Sequence, residues 1–170
     1  MLQGSIAEND RQRSWLARWP GFLFWLALTV AVGYVGSLVT LPKIPTWYAG
    51  LVKPSFTPPN AVFGPVWTFL YVVMAMAVWR IGAAADRPAR RRAIGVFVLQ
   101  LALNAAWSPV FFGLQAPSLA LLVIVLLLAA LAATLVMFWR LDRIAGWLLV
   151  PYLAWVCYAT ALNVAIVVLN

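Results

Sequence analysis

Five apolar runs, each long enough to cross a lipid bilayer as a helix, dominate this sequence of 170 residues. The hydrocarbon core of a bilayer needs roughly 20 apolar residues per helix. Because a backbone in lipid must satisfy its own hydrogen bonds, runs of this length form helices. Only 9% of the residues are charged, against about a quarter in a soluble domain. The sequence therefore predicts an all-α membrane protein, a bundle of five transmembrane helices over residues 20–41, 61–85, 93–113, 118–139 and 145–169.

The chain divides into an N-terminal extension, residues 1–19, and a transmembrane domain, residues 20–170. The first apolar run follows Arg11, Arg13 and Arg18, as the core of a cleaved signal peptide would. That run is longer than a usual signal core, and no convincing small-x-small cleavage site follows it. A transmembrane helix is therefore the favoured interpretation, and a signal peptide is the alternative.

The link between the first two runs differs from the other, shorter links. It reads LPKIPTWYAGLVKPSFTPPN and contains five prolines and several aromatic residues. Proline makes a loop rigid, and Trp47, Tyr48 and Phe56 are poorly suited to bare water. A structured loop that folds back over the bundle as a lid is the favoured interpretation. The alternative is an aromatic belt at the lipid headgroups.

Lysine and arginine are unequally divided between the two ends of the predicted bundle. Ten of the twelve belong to the N-terminus and to the links after the second and fourth runs, and the other two, Lys43 and Lys53, lie in the long loop. Cytoplasmic loops of inner-membrane proteins are rich in these residues. We therefore expect a bacterial membrane protein, with a cytoplasmic N-terminus if the inner membrane is occupied; the outer membrane is the alternative. Because the charges form no basic stripe, nucleic acid is not an expected partner.

The sequence lacks the groups that most enzymes, pumps and metal sites use. It has no histidine and one cysteine, Cys157, which argues against a metal site and against the usual axial ligand of haem iron. Its four acidic residues, Glu8, Asp10, Asp86 and Asp142, lie at the N-terminus or in links. Proton-coupled pumps need a titrating group inside the membrane, and hydrolytic enzymes need a base beside the nucleophile. We therefore expect no such catalytic residue and no required cofactor.

Polar and aromatic residues recur at helical spacing in three of the runs. Gln100, Asn104 and Ser108, together with Trp107, lie on one face of the third helix. A buried amide in lipid costs several kcal/mol unless it is bonded, so this face points inward; the amides could also serve only to join helices. Similar faces of the second and fifth helices carry Phe63, Trp67, Tyr71, Tyr152, Trp155, Ala159 and Asn163. The three faces converge beneath the long loop, which predicts an aromatic cavity for an apolar small molecule.

Two further patterns concern the outside of the bundle. Small residues four positions apart, Ala102 with Ala106 and Ala129 with Ala133, permit close approach of helices and suggest a homodimer, although alanine is common in any membrane helix. A separate group of tryptophans lies near the end opposite the long loop, where indole rings anchor helices at the lipid headgroups. These are Trp15, Trp19, Trp79, Trp139 and Trp147.

Three separated motifs resemble the TspO family of tryptophan-rich membrane proteins, which includes the mitochondrial translocator protein. WYAGLVKPSFTPPNAVFGPVW, residues 47–67, is similar to the loop and second-helix start of that family. LALNAAWSPVFFG, residues 101–113, looks like its third-helix motif, and PYLAWVCYATALN, residues 151–163, looks like its fifth-helix motif. The resemblance covers residues 20–165 in order.

The resemblance implies a five-helix bundle, often dimeric, with a cavity beneath the first loop that binds porphyrins, sterols and drug-like molecules. Carried over residue by residue, the ligand pocket would contain Trp47, Trp67, Asn104, Trp107, Trp155, Ala159 and Leu162. The lid would contain Tyr48, Lys53, Pro54 and Pro58. Animal members complete a proposed cholesterol motif with a tyrosine and an arginine where this chain has Val164 and Val168. Porphyrin is therefore favoured over sterol.

Three functions agree with these observations. The favoured one is a membrane receptor or sensor that binds protoporphyrin or a haem-type tetrapyrrole by stacking on tryptophan, linked to tetrapyrrole regulation. The second is a transporter of porphyrin or cholesterol, which needs no titrating group. The third is a light-dependent enzyme that degrades porphyrin, in which Trp67 and Trp155 would act.

Overall fold

The computed structural model describes residues 19–82, 84 and 86–170. Five helical segments within these residues are long and apolar enough to cross a membrane, which confirms the predicted fold class. The described residues exclude Arg11, Arg13, Trp15 and Arg18, and the second helix ends at Ile81, four residues before the predicted end at residue 85. The helices are α1 (Trp19–Thr40), α2 (Phe63–Ile81), α3 (Arg87–Ser108), α4 (Pro117–Leu141) and α5 (Arg143–Leu169).

The five helices pack in a ring in the order α1, α2, α5, α4, α3, and α3 closes the ring against α1. α1 is the least enclosed member, since Thr29 alone is buried within Trp19–Thr40. The Thr29 hydroxyl donates to the Tyr71 carbonyl oxygen at 3.1 Å, so the one buried polar group of α1 joins it to α2.

One end of the bundle, called here the basic end, contains Arg80, the arginines at the start of α3, and the link from α4 to α5. Asp142 is the single residue between α4 and α5, and its Oδ1 accepts from the backbone N–H groups of Ile144 and Ala145. Its Oδ2 lies 2.8 Å from Nη2 of Arg80, at the end of α2. Asp142 therefore begins α5 as its N-cap and fixes the end of α2 beside it.

α3 begins six residues earlier than the predicted residue 93. Asp86 caps it by accepting from the Ala89 N–H at 3.0 Å, and Pro88 occupies the first turn, where no backbone donor is needed. Arginine has a good intrinsic helix propensity. The end of the apolar run predicts a link over the basic segment, but its charges lie on the first turns of the helix.

The other end, called here the loop end, is more helical than the sequence suggested. α1 is continued by a 3₁₀ turn, Leu41–Lys43, and a π turn, Ile44–Tyr48, so the first part of the predicted loop is helical. Pro42 and Pro45 lie near the start of the 3₁₀ turn and of the π turn, where the helix departs from regular α geometry. A second π turn, Pro109–Gly113, prolongs α3 at the same end.

The half of the bundle nearer the basic end, the basic half, is filled by side chains. The rings of Phe97 and Phe138 stack with centroids 5.9 Å apart, and Trp25 meets Phe97 edge-on at 5.6 Å. Phe97, Phe138 and Met74 are fully buried. The half nearer the loop end, the loop half, contains the predicted polar faces.

The alanines predicted to permit a dimer lie on α3 and α4. Ala102, Ala129 and Ala133 are exposed on the surface of the bundle, and Ala106 is half-buried. Exposure leaves three of these positions available for close packing with another helix. The homodimer stays a prediction.

Candidate functional site

A cavity of about 450 Å³ lies in the loop half. All five helices contribute to it, and this volume falls in the range of about 300–1,000 Å³ that is typical of small-molecule pockets. The residues that line it from α4, such as Ile124 and Leu127, are buried, whereas Tyr34 on α1 is largely exposed. The cavity therefore has a closed wall on one side and a more open rim on the other.

Stacked aromatic pairs line the cavity on α2 and on α3. Trp67 stacks on Tyr71 with ring centroids 5.4 Å apart and planes at 28°. Trp107 stacks on Phe111 with centroids 4.9 Å apart and planes at 23°. Helical spacing of four residues places each pair on one face of its helix, and the π turn continues that face to Phe111. These rings offer flat apolar surfaces to a ligand.

At the end of the cavity farther from the long loop, a chain of hydrogen bonds runs in one direction from Tyr71 to Gln100. The Tyr71 hydroxyl donates to Asn104 Oδ1 at 3.1 Å, and Asn104 Nδ2 donates to the Tyr152 hydroxyl at 3.0 Å. The Tyr152 hydroxyl in turn donates to Gln100 Oε1 at 3.0 Å. The chain joins α2, α3 and α5, and all four residues are buried. The prediction that the Gln100 and Asn104 face points inward is confirmed.

A second polar connection fixes the ring of Trp107. Its indole N–H donates to Asn163 Oδ1 at 3.2 Å, and Asn163 Nδ2 donates to the carbonyl oxygen of Pro117 at 2.9 Å. Asn163 thus joins α5 to the start of α4 and, through Trp107, to α3. The Trp107 indole is positioned by the protein itself, and its donor is already used.

Trp155 differs from Trp107 because its indole N–H is buried without a hydrogen-bond partner among the described residues. Its ring lines the cavity and packs against Phe63, with centroids 5.7 Å apart, and against Tyr158 at 5.5 Å. Leaving a buried donor unpaired costs about 1–3 kcal/mol. Gln100 Nε2 is also unpaired within the described part of the chain, but Gln100 does not line the cavity.

The loop that follows the π turn is fastened to α5. The Asn170 side chain bonds both backbone groups of Val52, accepting from its N–H at 2.9 Å and donating to its carbonyl oxygen at 3.0 Å. The Tyr158 hydroxyl donates to the Phe56 carbonyl oxygen at 2.7 Å. These bonds hold the loop on the bundle, which favours the lid over a belt resting in the headgroups.

The structure places six of the seven predicted pocket residues around the cavity, and Tyr48 lines it in place of Trp47. Trp47 does not line the cavity; it packs edge-on against Phe111 and Phe112, whereas Tyr48, predicted for the lid, lines the cavity. A π turn points successive side chains in other directions than an α-helix does, which explains why Tyr48 and not Trp47 lines the cavity. The predicted pocket residues that do line the cavity are Trp67, Asn104, Trp107, Trp155, Ala159 and Leu162.

The remaining lid residues lie outside the cavity lining. Lys53 Nζ donates to the Leu51 carbonyl oxygen at 2.9 Å and lies 4.8 Å from the centre of the Tyr48 ring, so it braces a residue that does line the cavity. Pro54 accepts from the Thr57 N–H in a turn of the loop. Pro58 lines a shallow groove on the outside of the bundle, between α2 and α5, and Trp155 reaches this groove too.

Sequence reasoning missed many of the lining residues, among them Ile124 and Leu127 on α4, two phenylalanines after α3 and several residues of α1. Phe111 and Phe112 line the cavity from the π turn after α3, and Phe111, four residues after Trp107, was an available signal. Tyr34 and Ser37 line it from α1. No spacing signal marked them, because α1 carries apolar residues around its whole circumference.

The sequence matches the model of the TspO/MBR family over residues 25–169. The tryptophan-rich protein TspO of Archaeoglobus fulgidus is 43% identical over 144 residues, which cover 83% of this chain and 91% of that protein. The tryptophan-rich sensory protein of Cereibacter sphaeroides is 40% identical over 152 residues, which cover 89% and 92%. The human translocator protein is 40% identical over 148 residues, which cover 85% and 86%.

These matches cover all five helices. They agree with the three motifs, the five membrane-spanning helices and the aromatic residues gathered in the loop half. This chain therefore belongs to the TspO/MBR family and is an integral, multi-pass membrane protein.

Proposed function

We propose that this protein is a membrane receptor that binds a porphyrin in the cavity of the loop half. The observation that carries the proposal is a cavity of about 450 Å³ lined by two stacked aromatic pairs, Trp67 with Tyr71 and Trp107 with Phe111. Relatives of this chain are named a tryptophan-rich sensory protein and a translocator protein, which supports a role in recognising a small molecule.

The chemistry of the lining suits a flat, largely apolar ring with a few polar edges. Stacking of a planar ligand on an aromatic side chain contributes on the order of 1–3 kcal/mol, by analogy with nucleobases. Trp67 and Trp107 are both held by neighbouring rings, so little side-chain entropy is lost when a ligand stacks on them. Two such contacts supply much of a micromolar affinity.

The donor set favours a metal-free ring over haem. The sequence has no histidine, and Cys157 is exposed on α5 and does not line the cavity. An axial ligand for iron would have to come from a group that rarely serves in that role. We therefore infer that protoporphyrin binds at least as tightly as haem.

Titration with protoporphyrin IX in lipid nanodiscs tests the proposal, with the visible absorbance of the ring as the readout. We expect a saturable spectral shift for the wild type and a loss of at least tenfold in affinity for the triple variant Trp67→Ala, Trp107→Ala, Trp155→Ala. The matched control removes three indoles near the basic end: Trp19→Ala, Trp139→Ala, Trp147→Ala. Equal affinity in the wild type and in the cavity variant would rule out this site.

We also propose that the basic end faces the cytoplasm of a bacterial inner membrane. Seven described arginines lie at this end: Arg80, Arg87, Arg90, Arg91, Arg92, Arg140 and Arg143. Trp19, the first described residue of α1, lies at the same end, because its ring is 6.4 Å from that of Trp79. Fusion of a fluorescent protein that matures only in the cytoplasm to the N-terminus tests this orientation. Absence of fluorescence from a correctly inserted protein would contradict it.

A further inference from the structure

The rim of the cavity is open on one side of the bundle. Tyr34 on α1 is 65% exposed and Leu41 beside it is 63% exposed, although both line the cavity. Facing residues of α2, Gly64 and Thr68, are exposed and line the cavity as well. By contrast, Phe111 on the α3 side is 2% exposed. The cavity is therefore bounded by protein on the side of α3, α4 and α5, and it opens between α1 and α2.

Packing on α1 explains why the opening lies there. In the basic half, Thr29 bonds to α2, and Gly33 lies so close to the Tyr71 ring that a methyl group at Gly33 would overlap it. Beyond Gly33, α1 packs against α3: Val39 lies beside Gly113, and Trp47 meets Phe111 with ring centroids 5.6 Å apart. On the loop-end side of Gly33, α1 therefore packs against α3 instead of α2, and a gap opens between α1 and α2.

The long loop closes the top of the cavity and not this gap. After α1 it passes the end of α3, where Tyr48 packs against Phe112 with centroids 5.6 Å apart. It then reaches the end of α5, where Val52 bonds to Asn170, and continues to Tyr158 before it returns to α2. The loop therefore connects α1 to α2 by passing over the ends of α3 and α5, although α1 and α2 are neighbours.

The edges of the gap suit an apolar molecule. The Ser37 hydroxyl donates to the Gly33 carbonyl oxygen at 2.9 Å, and the Thr68 hydroxyl donates to the Gly64 carbonyl oxygen at 2.9 Å. Both hydroxyls are thus satisfied by their own helices and need no partner in lipid. We propose that this gap, the lateral opening, is the route by which the ligand enters the cavity directly from the hydrocarbon of the bilayer.

The identity of the ligand in this proposal rests on the proposed porphyrin function, but the opening itself does not. A spin label at Thr68→Cys, in a Cys157→Ser background, tests the opening without any ligand. We expect its relaxation to be enhanced by oxygen, which dissolves in lipid, to the same extent as for a label at Leu122→Cys, a lipid-facing position on α4 that is 55% exposed. A label at Thr68→Cys that oxygen reaches no better than a buried position would overturn the proposal.

Stopped-flow binding of protoporphyrin IX in nanodiscs tests the route. A bulky side chain in the opening, Thr68→Trp, is expected to slow both association and dissociation about tenfold, because a blocked route hinders passage in both directions. The control loosens the lid: Tyr158→Phe with Asn170→Ala removes the three hydrogen bonds that fasten the loop to α5 and is expected to leave both rates unchanged. Faster exchange in the lid variant, or faster dissociation in Thr68→Trp, would overturn the lateral route.

The two measurements separate this proposal from the porphyrin function. If the label at Thr68→Cys is accessible to oxygen but the wild type binds no protoporphyrin, the lateral opening stands and the porphyrin function fails. If protoporphyrin binds and the label is shielded, the porphyrin function stands and the lateral route fails.

Discussion

The basic half and the loop half are built from the same five helices, yet one is filled by side chains and the other is hollow. In the basic half, Phe97, Phe138 and Met74 are fully buried and belong to one continuous core. In the loop half, aromatic rings and amides surround a cavity of about 450 Å³. The connections differ in the same way: Asp142 alone separates α4 from α5, whereas a long loop separates α1 from α2.

This difference suggests that stability and binding depend on different parts of the bundle. Short connections and an ion pair hold the helix ends together in the basic half, so side chains can fill the space between them at normal packing density. At the loop end, the long connection between α1 and α2 allows these two helices to part. Each substitution below is expected to change stability or binding differently from a matched substitution elsewhere in the bundle.

The largest expected effect is the loss of core packing in the basic half. Phe97→Ala removes a ring that contacts both Phe138 and Trp25, and we expect it to lower the free energy of unfolding by about 3 kcal/mol. Unfolding in mixed micelles of dodecyl sulfate measures this loss. The control is Phe24→Ala on α1, where the ring is 60% exposed and its removal costs little. Equal losses would mean that the basic half has no special role in stability.

Added volume is the next test, because a hollow region tolerates it and a filled region does not. Ala77→Leu places a larger side chain in the filled core and is expected to cost about 2 kcal/mol of unfolding free energy. Ala159→Leu enters the cavity and is expected to cost less than about 0.5 kcal/mol. Protoporphyrin titration of the second variant is expected to show weaker binding. A large loss of stability from Ala159→Leu would contradict a hollow loop half.

A smaller effect is expected from the two roles of Asp142 at the basic end. Asp142→Ala removes the N-cap of α5 and the partner of Arg80, and we expect a loss of about 1.5 kcal/mol in unfolding free energy. The ion pair contributes little of this, because both side chains are partly exposed to solvent.

Asp142→Asn separates the two roles, since asparagine still caps the helix but carries no charge. We expect it to lose about 0.5 kcal/mol in the same unfolding assay. Equal losses from the alanine and asparagine variants would mean that the charge, and not the cap, holds this end together.

The smallest expected effect lies in the lid. Lys53→Met removes the ammonium group that donates to the Leu51 carbonyl oxygen and lies over the Tyr48 ring, which we expect to cost about 0.5 kcal/mol of local stability. Cleavage of the loop by chymotrypsin should then become about twofold faster. Lys43→Met, which removes the same charge from the preceding 3₁₀ turn, is the control. Equal acceleration in both variants would show that charge alone sets the cleavage rate.

Helix number and the inward polar face could be predicted from the sequence because each depends on local spacing. An apolar run of sufficient length must be a helix in lipid, and Gln100 and Asn104, one turn apart, must share a face. The exchange of Trp47 and Tyr48 could not be predicted, since it depends on a π turn that apolar patterning does not reveal. The opening between α1 and α2 could not be predicted either, because it depends on which neighbour α1 contacts above Gly33.

The direction of the hydrogen-bond chain from Tyr71 to Gln100 determines which hydrogen-bonding role is left to the Tyr71 hydroxyl. Because the Tyr71 proton is committed to Asn104, the Tyr71 hydroxyl can only accept a further hydrogen bond, and Tyr71 is one of the residues that line the cavity. A ligand that meets the chain at Tyr71 therefore has to donate a hydrogen bond to this hydroxyl. This end of the cavity should therefore favour a ligand edge that carries a hydrogen-bond donor over an edge that carries only acceptors.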